Sequence, residues 1–80
     1  MNNKQLEDII DCTSEALHGL CKLGDINAGE VVLKQYTKGL EAYGKPLSEA
    51  GFSRDRLLRE AAEELVDALA YLTQAMKENN

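Results

Sequence analysis

"REAAEELVDALAYL", residues 59–72, decides how this chain folds and raises the question of what it is for. Its Leu and Ala residues return every three or four positions, the repeat of one helix face, and no period-two alternation competes with it. Between them stand Glu60, Glu63, Glu64 and Asp67, with no base after Arg59. Carboxylates this close repel one another. The grouping is therefore either an ordinary solvated helix face or the seat of something cationic.

Working outward, Leu58, Ala61, Ala62, Leu65, Leu69, Leu72 and Met76 continue the apolar stripe. They predict a long helix over 54–78, capped by Ser53 and roughly 37 Å in length. Ahead of it, "GKPLSEAGFS" (44–53) gathers Gly, Pro and Ser into the longest loop, the stretch best suited to shape a binding edge. A second helix is expected over 27–43. Asn27 and Glu30 stand at capping-box spacing, and Val32, Tyr36, Leu40 and Tyr43 form its apolar face. Gly29 and Gly39 on that face would let a neighbouring backbone approach, and Gly44 and Pro46 end the helix. The first helix is expected over 4–23, with Leu6, Ile9, Ile10, Thr13, Leu17 and Leu20 on one stripe and Gly24 as its stop. Residues 1–3 and 79–80 read as frayed. The fold class is all-α: a single domain of three helices forming a helical bundle.

Eighty residues hide only a modest share of their surface, and stability from one chain is marginal at this size. The apolar share is 44% and the charged share 29%, which places the chain with globular rather than disordered sequences. No disulfide framework or zinc motif supplements the core, so burial against a second copy is the expected remedy, and a homo-oligomer follows. The net charge of −5 divides as −3 over residues 1–26, zero over 27–53 and −2 over 54–80. No segment offers the basic face that nucleic acid or an anionic membrane would require. The longest apolar run, Ala68–Leu72, is far too short to span a bilayer. Cys12 and Cys21 lie about 13 Å apart along one helix, too far to bond. Two free thiols, read as small semi-buried hydrophobes, fit a reducing cytoplasm.

On the helical wheel Glu60, Glu64, Asp67 and Tyr71 fall opposite the apolar stripe, with Glu63 at their border. Glu64 and Asp67 are one turn apart and can reach a common point. Oxygen ligands of this kind suit Mg²⁺, which keeps some of its waters and is seldom caged by protein alone. The plainer reading is a solvated face on which Arg56–Glu60 and Arg59–Glu63 pair at i, i+4. Against it, Arg54, Arg56 and Arg59 crowd a helix start, where the macrodipole disfavours cations. Together with Lys45 in the preceding loop, they would suit a phosphate.

At "EELVDALAYL" (63–72) the chain resembles the MazG-like all-α nucleoside triphosphate pyrophosphohydrolases, whose last metal-binding helix carries E-E-x-x-D ahead of an apolar run. Here Glu63, Glu64 and Asp67 precede "ALAYL". "GLEAYGKPL" (39–47) and "RDRLLREA" (54–61) are similar to small phage-borne members, and the resemblance covers roughly residues 33–78. It implies four helices per active unit, completed by dimerisation, and Mg²⁺ held between two acidic helices. Water would attack a nucleoside triphosphate, giving the monophosphate and pyrophosphate, with the metal lowering the pKa of the water. Glu64 and Asp67 would be ligands, and Glu63 or Glu60 a ligand or water-orienting base. The family's first acidic helix carries E-E-x-x-E. The second helix here offers only Glu30 and Glu41, with Lys34 and Lys38 between them. The nearest substitute is "EDIID" (7–11), whose Glu7 and Asp11 share a face with Ser14 and His18 and would complete a metal site across a dimer.

Two functions compete on these residues. One is a Mg²⁺-dependent nucleotide pyrophosphohydrolase or nucleotide-binding relative, in which Tyr71 either stacks on a base or sits at an interface. The other is a non-enzymatic acidic helical protein that occupies the surface of a host protein. His18 and Cys21 make a single H-x-x-C pair, half of what a structural zinc site needs.

Overall fold

The computed structural model describes residues 3–78, and the chain divides into two units, residues 1–46 and 47–80. Among the described residues there are three α-helices and no strands, so the fold is all-α: α1 (Lys4–Gly24), α2 (Ala28–Tyr43) and α3 (Arg54–Glu78), with a short 3-10 turn at Leu47–Glu49. Residues 1–2 and 79–80, expected to be frayed, lie outside the described residues. Asn3 precedes α1 without a side-chain capping bond.

In the first unit, Glu7 in the first turn of α1 and Lys22 in the last complement the macrodipole. The Lys4–Asp8 pair, at 3.0 Å, is exposed at both ends. Such a pair is worth at most about half a kcal/mol. Thr13 enters the apolar stripe because its hydroxyl donates back to the Ile9 carbonyl at 2.7 Å, leaving only its methyl as a contact surface.

The end of α1 differs from the expected glycine stop. Gly24 is the last helical residue, and the left-handed position falls to Asp25, with φ 53° and ψ 48°. Ile26 N–H donates to the Cys21 carbonyl at 2.8 Å and Asp25 N–H to the Lys22 carbonyl at 3.5 Å, which is the Schellman arrangement. Gly24 is needed for a different reason. A Cβ there would come within 2.9 Å of Ile26 Cδ1, so the missing side chain gives Ile26 room. Asp25 therefore sits strained and negative at a helix C-terminus, where both effects are unfavourable. Asp25→Gly is expected to stabilise the protein by about 0.5–1 kcal/mol, after allowing for the greater freedom of glycine in the unfolded chain. Urea unfolding at fixed protein concentration reads this directly, and an unchanged or lower midpoint would show that Asp25 is not strained.

At the start of α2, Asn27 Oδ1 accepts from Glu30 N–H at 3.0 Å, the expected cap. Gly29 leaves space for that same oxygen, 3.2 Å from where its Cβ would be, whereas Gly39 faces open space. No neighbouring backbone approaches either glycine in the single chain. Gly44, at φ 73°, ends α2 by donating its N–H to the Leu40 carbonyl at 2.8 Å. α1 and α2 touch only near their connecting turn: within residues 1–46, no two Cα atoms twelve or more positions apart come within 8 Å.

In the second unit the expected loop is partly structured. Leu47–Glu49 forms one 3-10 turn closed by Ala50 N–H on the Leu47 carbonyl at 3.2 Å. Ser53 then caps α3, its Oγ accepting from Arg56 N–H at 3.1 Å. The stripe along α3 forms as predicted, yet its own unit does not cover it. Leu58, Leu65, Leu69 and Leu72 are all more than a third exposed, and Met76 is 78% exposed. Among the described residues only Cys21 is buried. The apolar faces are built, and each unit leaves them open.

Candidate functional site

The basic start of α3 is built by its cap. Ser53 fixes the first turn, and this places Arg56 one turn past Phe52, with the guanidinium carbon 3.7 Å from the ring centroid. The same guanidinium reaches Glu60 across one further turn, Nε to Oε1 4.0 Å. Arg56 is thus held between an aromatic face and a carboxylate, a cation–π and ion-pair arrangement that fixes its direction. Of the cations predicted to meet a phosphate, Arg56 is engaged within its own helix. Arg54, Arg59 and Lys45 are exposed. Phe52 had no role in the sequence reading. The signal for it was present, an aromatic residue four positions before an arginine across a helix start.

The acidic side of α3 follows one turn on. Glu60, tied to Arg56, is half-buried, whereas Glu63, Glu64 and Asp67 are exposed. The second expected pair, Arg59 with Glu63, does not form among the described residues. Tyr71 continues this side at 79% exposure. Glu7 and Asp11 lie in the other unit, exposed on α1 and one turn apart, with Ser14 and His18 also exposed. Among the described residues no three Asp, Glu, His or Cys side chains group closely enough to hold a metal ion. Within its own unit, α3 carries carboxylates of the type that suits Mg²⁺, and among the described residues they are not grouped in threes.

Other chemistry is sparse. Cys12 is exposed rather than semi-buried, and Cys21 is buried, both as free thiols. Glu30, Leu33, Lys34, Thr37, Lys38 and Glu41 line an open depression along one side of α2, shaped by a single helix and enclosing nothing. No described helix is long and apolar enough to cross a membrane. No protein-family model, curated protein or solved structure matches the chain.

Proposed function

We propose that the chain is an association module: a small acidic helical protein whose apolar stripes are covered by a second copy, closing a helical bundle. One observation carries this reading. Along α3 the apolar side chains line one face from Leu58 to Met76, and its own unit leaves the large ones more than a third exposed. Ordering a residue costs about 1–2 kcal/mol, which two units with only Cys21 buried among the described residues do not offset by themselves. Covering the remaining exposed part of each large side chain contributes roughly 1 kcal/mol. A contiguous apolar face of this extent is otherwise rare on a soluble monomer. Sedimentation equilibrium at micromolar concentration is expected to give a multiple of the 8.8 kDa chain mass. A helical particle that stays at the chain mass would contradict the reading.

A second reading rests on the other side of α3. Glu63, Glu64 and Asp67 are exposed at the spacing that resembles a pyrophosphohydrolase metal helix. Here the assembled protein is a Mg²⁺-dependent nucleoside triphosphate pyrophosphohydrolase or a nucleotide-binding relative. Glu64 and Asp67 hold the ion, Glu63 or Glu60 orients water, and Glu7 and Asp11 of the second copy supply the missing oxygens. Arg54, Arg59 and Lys45 meet the phosphates, and Tyr71 the base. In this reading the second copy completes the cage, so the site rests on the association proposed above.

A further inference from the structure

We infer that the second copy docks on α3 through its own α3, antiparallel, in one defined register; this rests on the association reading and specifies its partner face. The open stripe of α3 has a regularity beyond amphipathicity. Leu58, Ala62, Leu65, Leu69, Leu72 and Met76 are spaced alternately four and three residues apart, so the seam repeats every seven positions. A strict heptad fits another helix with the same repeat better than it fits an irregular surface. The stripe of α1 is the poorer match, because it is shorter, running from Leu6 to Leu20 before Gly24 ends the helix.

Charge and size on the flanks decide the orientation. One flank of the seam carries Arg54, Ala61, Ala68 and Ala75, and the other carries Arg59, Val66 and Thr73. In a parallel pair opposite flanks meet, which sets Arg54 of each copy beside Arg59 of the other, a like-charge contact made twice. In an antiparallel pair like flanks meet. Aligning the seams places Leu65 against Leu69 of the second copy, Ala62 against Leu72, and Leu58 against Met76. On one flank Ala68 then meets its own equivalent, which permits close approach of the helices. On the other flank Val66 meets its equivalent, so Val66, 63% exposed in the single chain, becomes covered.

The helix ends fit the same arrangement. Arg54 and Arg56 crowd the positive end of their own macrodipole. The antiparallel copy brings its negative C-terminal end alongside them, with Glu78 on the Arg54 flank and Lys77 on the Arg56 flank. Glu60, Glu63, Glu64 and Asp67 stay on the outer side in this pairing, clear of the seam.

Single cysteines in a full-length Cys12→Ser, Cys21→Ala background test the register. Ala68→Cys is expected to cross-link to itself with a short thiol-reactive linker, because this position faces its own equivalent. Leu58→Cys alone is expected not to cross-link, since the two positions lie about 27 Å apart along the pair. Mixed with Met76→Cys, however, it should form the mixed dimer as the main product. Self-linking of Leu58→Cys would overturn the antiparallel register in favour of a parallel one. A protein that sediments as an oligomer, yet links neither Ala68→Cys to itself nor Leu58→Cys to Met76→Cys, would overturn the α3 seam while leaving association standing. A helical monomer would remove both.

Discussion

Leu65→Asp is expected to dissociate the assembly and to melt much of α3 with it. In the single chain Leu65 is 44% exposed, so a carboxylate there costs the isolated chain little. The penalty arises on covering. Each copy would lose roughly 1 kcal/mol of apolar burial, the share of a full leucine still exposed before association, the loss is made twice in a symmetric pair, and an unpaired charge in a dry seam adds to it. The dissociation constant should therefore rise by at least about a hundredfold. A helix of 25 residues without a partner is only marginally stable in water, so far-UV dichroism should fall together with the mass. Gln74→Ala, on the outer side of the same helix, should leave both unchanged. Equal mass and equal helicity in Leu65→Asp would show that the stripe is not where the chains meet.

The second large effect belongs to the nucleotide reading. With Mg²⁺ and a non-hydrolysable nucleoside triphosphate at about a hundred times the dissociation constant, a genuine site would stabilise the native state by about 2.7 kcal/mol. In a chain of this size that corresponds to a rise in melting temperature of about 10–20 °C. Glu64→Gln with Asp67→Asn should abolish the rise while leaving the oligomer intact, because both side chains lie off the apolar stripe. Pyrophosphate release from a nucleoside triphosphate, if the protein catalyses it, should be lost in the same double variant. Wild-type protein that shows no shift with Mg²⁺ and nucleotide would sink this reading. Release that persists in the double variant would remove Glu64 and Asp67 from the chemistry.

Most of the helical layout was legible in the sequence because its signals are local. Asn27 and Ser53 cap the helices they were assigned to, and Gly44 closes α2, since each needs only neighbours within four residues. The end of α1 was misread by one position. Glycine is the commonest left-handed residue, but here Gly24 is spent on clearance for Ile26 and Asp25 takes the strained backbone. That clearance depends on a side chain folding back over the turn, which spacing alone does not reveal. The 3-10 turn at Leu47–Glu49 was absorbed into a loop because three residues carry no periodicity.

The candidate site was legible in type and not in completeness. The spacing of Glu63, Glu64 and Asp67 places them together on the polar side of α3, away from the apolar stripe, and that much is a property of one helix. Whether further oxygens oppose them depends on contacts between segments, and a sequence read one helix at a time does not encode those. The pairing of Arg56 with Phe52 and Glu60 shows the same limit from the other side. Three groups within nine residues settle one cation's direction, and Arg59, three positions on, is left without such partners among the described residues.

The central claim is that the open face of α3 exists to be covered by another chain of the same kind. Sedimentation equilibrium of the unmodified protein across a range of concentrations tests it most directly. The expected result is a reversible oligomer whose mass falls toward 8.8 kDa, and whose helicity falls with it, as the protein is diluted. A fully helical particle of the single-chain mass at every concentration would contradict it.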